Sequence, residues 1–168
     1  VLSSFNSDGF TVDQGSSGTA SLQHTITNKS GETYVSWTWK AGGSGVTNND
    51  GSSSSTVSAG DKSGFSIVKD AGTGNTTTQT LGHGLSTPPN SIWIKELDGT
   101  SGWMVYVSLL GTDKFLIMHS SAALNTSTAY INDTAPTSSV FSVGQSNGSN
   151  ELGKNYIAYC FRNIDGFM

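Results

Sequence analysis

The sequence contains a single cysteine, Cys160, among 168 residues. One cysteine excludes an intrachain disulfide and a cysteine-rich zinc site, so stability must come from a packed core, from oligomer contacts or from both. No apolar run approaches the roughly 20 residues that cross a bilayer, so membrane insertion is not expected. Only eight Lys and Arg, scattered among twelve Asp and Glu, give a net charge of −4. That balance argues against electrostatic binding of nucleic acid.

The residues that are abundant are small and polar, since Ser, Thr, Asn and Gly make up almost half of the chain. Charged residues account for 12% and hydrophobic residues for 34%, yet aromatics reach 10%, which is unlike a disordered chain. Alternation with a period of two dominates, and helical periodicity is absent. The sequence therefore predicts an all-β fold, an antiparallel β-sandwich or jelly roll with long polar loops.

Nine alternating segments lie between turn dipeptides such as Asp98-Gly99 and are predicted to be strands. They are residues 10–13, 20–27, 34–40, 64–69, 91–96, 103–110, 114–119, 140–143 and 156–162. Their bulky apolar members form the predicted core: Val35, Trp37, Phe65, Ile67, Ile94, Val105, Ile117, Phe141, Ile157, Tyr159 and Phe161.

An internal repeat is the most informative feature of the chain. Residues 31–40, GETYVSWTWK, match residues 153–162, GKNYIAYCFR, and residues 9–14 resemble residues 140–145. In the second copy Ile157, Tyr159 and Phe161 share one strand face, opposite the small Ala158 and Cys160, so the large residues are predicted to face the core. Either both copies lie in one sandwich, or residues 10–40 complete a neighbouring unit.

Three segments follow from this repeat. Residues 1–43 are a β-hairpin segment resembling the end of a preceding repeat, residues 44–63 are a Gly/Ser-rich connection, and residues 64–168 are the sandwich core. Because the chain does not begin with Met, we expect it to start inside a longer polypeptide. An isolated hairpin is marginal in water, so we also expect a homo-oligomer, with a trimer favoured and strand addition between copies.

Chemistry-bearing patterns are few. His24, His83 and His119 form no H-x-H or H-E-x-x-H pair, although His119 alternates with apolar residues like a histidine at the edge of a core. No strand carries paired carboxylates of the glycosidase kind, and no G-x-S-x-G turn occurs. We therefore predict no catalytic, cofactor-binding or metal-ligating residue and no enzymatic activity. Calcium between Asp-bearing loops is left open.

Three aromatic residues are candidates for contact with a saccharide or a protein surface: Trp93, Trp103 and Tyr106. Alternation favours burial for most of the aromatics. Trp93 is the exception, because it lies on the strand face opposite Ile92 and Ile94, where exposure or an intersubunit contact is expected.

A series of short motifs resembles a known family. The motifs are GFSIV at 64–68, GTG at 72–74, HGL at 83–85, IWIK at 92–95, WMVY at 103–106, TAPTSSVFSVG at 134–144 and YIAYCF at 156–161. Their order over residues 31–168 resembles a repeated domain of tail-fibre and other virion-surface proteins of marine bacteriophages, including those of cyanobacteria. Residues 5–40 resemble the closing segment of a preceding copy.

The resemblance implies a virion structural protein at the particle surface, extracellular once assembled, with other virion proteins as partners. Host attachment by non-enzymatic binding of a surface glycan is the expected function. The alternative is a purely architectural filament or capsid-decoration subunit, and a polysaccharide-degrading enzyme ranks third. The resemblance supplies no catalytic residue.

Overall fold

The computed structural model describes residues 2–12, 28, 31–74 and 78–166. The chain divides into two compact units, Val1–Thr38 and Trp39–Met168. In the first unit, β1 (Leu2–Phe5) pairs antiparallel with β2 (Phe10–Val12). The turn between them is closed by the Asn6 N–H, which donates to the Gly9 carbonyl at 2.8 Å. The predicted strand at 20–27 lies outside the described residues.

The second unit is built on an antiparallel sheet of eight strands. These are β3 (Val46–Asn48), β4 (Ser55–Gly60), β5 (Phe65–Ala71), β7 (Ser91–Glu96), β8 (Met104–Val107), β9 (Lys114–Ile117), β10 (Asn125–Thr126) and β12 (Asn155–Phe161), in the order β10-β9-β8-β7-β12-β5-β4-β3. A second sheet pairs β6 (Gln79–Gly82) with β11 (Val140–Val143). One helical turn, α1 (Asn147–Asn150), precedes β12. The prediction of an all-β fold is confirmed.

The core lies between one face of the eight-stranded sheet and the two-stranded sheet. Leu81, Phe141 and Val143 come from the smaller sheet, and each is at most 1% exposed. They pack in one cluster with inward side chains of the larger sheet, among them Ala158 and Cys160. Small residues at the centre of β12 leave room for the second layer to approach closely.

The predicted orientation of β12 is wrong. Tyr156, Ala158 and Cys160 point into the core, whereas Ile157 and Tyr159 are only partly buried on the opposite face. The larger side chains of β12 were expected to face the core because of their size. However, β12 is a central strand that is apolar on both faces, and the second layer packs on the face with the smaller side chains.

The other predicted core residues divide into three groups. Ile94 and Phe141 are buried in the core, as predicted, whereas Phe65, Val105 and Phe161 are buried on the opposite face of the large sheet. Ile67, Ile117, Ile157 and Tyr159 are partly buried. Val35 and Trp37 are 70% and 72% exposed, so their assignment to the core is wrong.

Two predictions about the first 63 residues also need correction. Residues 34–40 do not form a strand, and their alternating side chains do not enter the core, since Val35 and Trp37 are mostly exposed. Residues 44–63, predicted to be a connection, contain β3 and β4 at one edge of the large sheet. The sequence does not show the apolar alternation of a strand here, because one inward side chain of β4 is the polar Ser55. The Ser55 hydroxyl donates to the Gly82 carbonyl at 3.2 Å.

Candidate binding site

Six aromatic side chains lie together on the side of the large sheet that faces away from the core. This aromatic face consists of Trp39, Phe65, Trp93, Trp103, Tyr159 and Phe161. Strand register produces it, since Phe161 pairs with Phe65 on one side and Tyr159 pairs with Trp93 on the other. Alternation then turns all four side chains the same way.

Phe161 is the centre of this face. Its ring centroid lies 4.7 Å from that of Trp93, 5.0 Å from that of Phe65 and 5.4 Å from that of Trp39. Such pairs contribute about 0.5–1.5 kcal/mol each beyond the area that they bury. The Trp93 indole N–H donates to the Ser91 hydroxyl at 3.0 Å, which fixes the orientation of that ring.

At one side of the aromatic face, Trp103 also forms the wall of a cleft of 270 Å³, the Trp103 cleft. Tyr130 lines the same cleft, along with the apolar Met104 and Ile117 and the polar Ser101, Ser146 and Asn147. Two glycines, Gly102 and Gly148, complete the lining. The cleft thus combines two aromatic rings with residues that carry hydroxyl and amide groups.

Both aromatic walls are held by ring contacts. Trp103 stacks on Tyr159, with ring centroids 5.6 Å apart and an angle of 24° between the planes. Tyr130 packs on Phe115 at 4.3 Å. A Cβ at Gly148 would lie 2.9 Å from Tyr130 Cε1, so a glycine is needed where α1 passes over the ring.

The polar side of the cleft is fixed by α1 and its cap. The Ser146 hydroxyl accepts a hydrogen bond from the Gly148 N–H at 3.2 Å, which is the N-cap of this turn. The Asn147 carbonyl accepts from the Tyr156 hydroxyl at 2.6 Å. The polar side of the cleft is therefore held by hydrogen bonds within α1 and between α1 and β12.

Two buried carboxylates flank Tyr156 on the core face, because β12 pairs Tyr156 with Asp70 of β5 and with Glu96 of β7. Glu96 accepts from the Ser101 hydroxyl at 2.5 Å and lies 3.8 Å from Lys154 Nζ. Burial raises the pKa of Asp70 to about 7. Neither carboxylate lines the Trp103 cleft.

Of the other side chains that could take part in acid–base or thiol chemistry, His83 and Cys160 are buried. The buried His83 accepts from the Leu85 N–H through Nδ1 at 3.1 Å, and Nε2 faces the Thr137 carbonyl at 3.1 Å. Burial lowers the pKa of His83 and raises that of the Cys160 thiol. His119 is exposed rather than at the edge of the core.

The described part of the chain contains no group of three or more His, Cys, Asp or Glu side chains arranged to hold a metal ion. His24 lies outside it. Within the same residues, no helix has both the length and the apolar character that crossing a membrane requires.

The three predicted contact residues have different positions. Trp93 and Trp103 are partly buried on the aromatic face, and Trp103 also lines the cleft. Tyr106 is 2% exposed, because it pairs with Ile92 on the core side of β8, so its prediction as a surface contact is wrong. Sequence reasoning missed Tyr130, which lies in an irregular segment between strands where alternation gives no signal.

Comparison with known proteins gives one match. The family model described as "Domain of unknown function (DUF7483)" matches residues 1–168. No curated protein and no solved structure matches the chain.

Proposed function

The chain belongs to the DUF7483 family, and we propose that it is a non-enzymatic attachment domain that binds carbohydrate in the Trp103 cleft. The observation that carries this proposal is the composition of the cleft, in which Trp103 and Tyr130 lie beside Ser and Asn side chains. A sugar ring presents apolar C–H faces that pack on aromatic rings and hydroxyls that bond to such polar groups.

The positions of the carboxylates near the cleft are consistent with a site that binds a glycan without cleaving it. Glycoside hydrolysis needs two carboxyl groups on either side of the scissile bond. Ser101 lines the cleft, but its hydroxyl donates a hydrogen bond to Glu96, which is buried and lies 3.8 Å from Lys154. Glu96 therefore serves to fix the cleft rather than to reach a ligand.

The resemblance to phage virion-surface repeats supplies the setting for this proposal. On a virion, many copies of a weak site act together, and the avidity can exceed the affinity of one site by orders of magnitude. Polar loops with few charges suit reversible hydrogen bonding to host glycans, with other virion proteins as the structural partners.

Replacing Trp103 tests the cleft. Trp103→Ala is expected to weaken glycan binding at least tenfold, about 1.4 kcal/mol, because one of the two stacking rings is lost. Trp103→Phe is expected to restore part of the affinity. The measurement is binding of biotinylated domain, multimerised on streptavidin, to an array of bacterial surface glycans.

Leu109→Ala is the matched control, since Leu109 is 94% exposed and does not line the cleft. Circular dichroism of each variant separates loss of binding from loss of the fold. Unchanged binding by folded Trp103→Ala, or no glycan bound by the multimerised wild type, would contradict the proposal.

The architectural alternative has one specific observation in its favour. The first unit exposes large apolar side chains, with Phe5 at 77%, Val35 at 70% and Trp37 at 72%. Exposed apolar groups of this size are typical of surfaces that other chains cover. A filament or decoration subunit would use them for assembly.

A further inference from the structure

We propose that residues 31–40 serve as a donor strand for a second copy of this chain whose own β12 has been displaced, where they take the place of that strand between β5 and β7. The inference goes beyond carbohydrate binding and does not depend on it. It concerns an interaction segment and the site on the partner that this segment fits.

The first observation is that the segment has the composition of a strand without the structure of one. Residues 32–42 hold no regular secondary structure, although residues 34–39 alternate as a strand does. Val35 and Trp37 are both at least 70% exposed. A segment of this kind is suited to join a sheet outside its own chain.

The second observation is a position-by-position match to β12. On the face that would turn to the core, Tyr34 corresponds to Tyr156, Ser36 to Ala158 and Thr38 to Cys160. On the other face, Val35 corresponds to Ile157, Trp37 to Tyr159 and Trp39 to Phe161. Both segments are preceded by a glycine with positive φ, +83° at Gly31 and +77° at Gly153.

The position of β12 in the second copy requires the same pattern of large and small side chains. Tyr156 donates its hydroxyl to the Asn147 carbonyl and accepts from the Glu151 N–H at 2.9 Å, and a tyrosine at the same position can make both bonds. Only small side chains fit where Ala158 and Cys160 face the second layer, and the donor offers Ser36 and Thr38 there.

The donor also suits the neighbours of β12. Cys160 lies opposite Ser66 of β5, so Thr38 would lie opposite that serine, and Thr–Ser pairs hydrogen bond across strands. Trp37 would take the position of Tyr159, next to Ile67 and Trp93. Trp39 packs on Phe65, Trp93 and Phe161 of its own chain. In the exchanged arrangement it would leave these rings and take the position of Phe161, opposite Phe65 in the second copy.

A proline in β12 tests the proposal in the full-length chain. Ala158→Pro removes ladder hydrogen bonds in the middle of a central strand, so the chain loses the use of its own β12. If residues 31–40 can replace it, this variant is expected to fold as an oligomer with a cooperative thermal transition. Light scattering and circular dichroism give the readout.

Ser36→Pro is the matched control, because Ser36 is the counterpart of Ala158. Alone, it is expected to leave the wild-type transition unchanged, while added to Ala158→Pro it is expected to abolish the folded oligomer. Unfolded Ala158→Pro chains, or oligomers that persist in the double variant, would overturn the proposal.

A synthetic peptide of residues 31–40 provides a second measurement. Added to the Ala158→Pro/Ser36→Pro chain, it is expected to raise the ratio of folded to unfolded protein at least tenfold. The same peptide with Ser36→Pro is expected to have no effect. If the unmodified peptide gives no gain, the segment is not a donor strand.

Discussion

Replacing Phe141 with alanine is expected to lower the free energy of unfolding by about 3–5 kcal/mol, the usual cost of removing a buried phenylalanine. Phe141 is 1% exposed and lies opposite Leu81 in the smaller sheet, where it packs against the eight-stranded sheet. The ring therefore joins the two layers. A loss of this size is a large part of the roughly 5–15 kcal/mol that stabilises a typical domain.

Urea unfolding followed by circular dichroism measures this loss, and thermal unfolding should show a fall of roughly 2–4 °C for each kcal/mol in a domain of this size. Trp37→Ala is the comparison variant, since it removes a larger ring that is 72% exposed. Its expected effect is within about 0.5 kcal/mol. Equal effects of the two variants would show that the core has been wrongly assigned.

The strands that sequence predicted well are those in which bulky apolar residues alternate. The predicted segments 91–96 and 140–143 coincide with β7 and β11, and 156–162 differs from β12 by one residue at each end. The weakly apolar strands β3, β4 and β10 were missed, because Ser, Thr and Asn there look like turn residues. β3 and β10 are the two edge strands of the large sheet and β4 lies next to β3, so their polar composition gave no strand signal. β1 and β6 were missed as well.

The choice of core face could not be made from one strand. Sequence shows which residues share a face, but the position of the second layer depends on the whole sheet. Val68, Ile92 and Ile94 on neighbouring strands face the core together with Ala158. Strand order and register bring these four residues together, and neither can be obtained from a period of two.

The candidate site was predicted only in part for the same reason. Trp103 was identified as an aromatic contact residue at the start of the predicted strand 103–110, whereas Tyr130 reaches the cleft from a loop 27 positions later in the chain. Tyr106 was predicted as a surface contact together with Trp103, but the odd spacing between the two residues puts their side chains on opposite faces.

Asp70→Asn is expected to remove a strong pH dependence of stability. Among the described residues, two buried side-chain oxygens lack a hydrogen-bond partner, Asp70 Oδ2 and Gln79 Oε1. Burial without such partners raises the pKa of Asp70 from 3.8 to about 7. Tyr156 lies opposite Asp70, and Glu96, whose cation partner is Lys154 at 3.8 Å, lies on the far side of Tyr156.

The sign follows from proton binding. Between pH 4 and pH 7 the folded chain keeps the Asp70 proton, whereas the unfolded chain has lost it, so the free energy of unfolding falls as pH rises. The slope is about 1.4 kcal/mol per pH unit, and the full penalty of about 4 kcal/mol is reached above pH 7. Asparagine has the same shape and stays neutral, so it avoids this penalty.

The measurement is the difference in unfolding free energy between Asp70→Asn and wild type, from urea titrations at pH 4, 5, 6, 7 and 8. His83 contributes in the opposite direction, because its lowered pKa makes the fold lose stability as pH falls below about 6.5. Since His83 is present in both proteins, its contribution cancels in the difference. The expected difference grows in favour of the variant by about 4 kcal/mol from pH 4 to pH 8.

Asp98→Asn is the control at an exposed carboxylate. Asp98 accepts from the Asn155 N–H at 2.6 Å and from its side-chain amide at 2.9 Å, and these bonds lower the pKa of Asp98. The stability that the ionised Asp98 contributes through these bonds is present at neutral pH and lost in acid. Asp98→Asn is therefore expected to be less stable than wild type at neutral pH, and the difference is expected to shrink as pH falls. A pH-independent difference for Asp70→Asn would mean that Asp70 is solvated or paired in the folded chain, and that the end of the sandwich where β5 meets β12 is open to water.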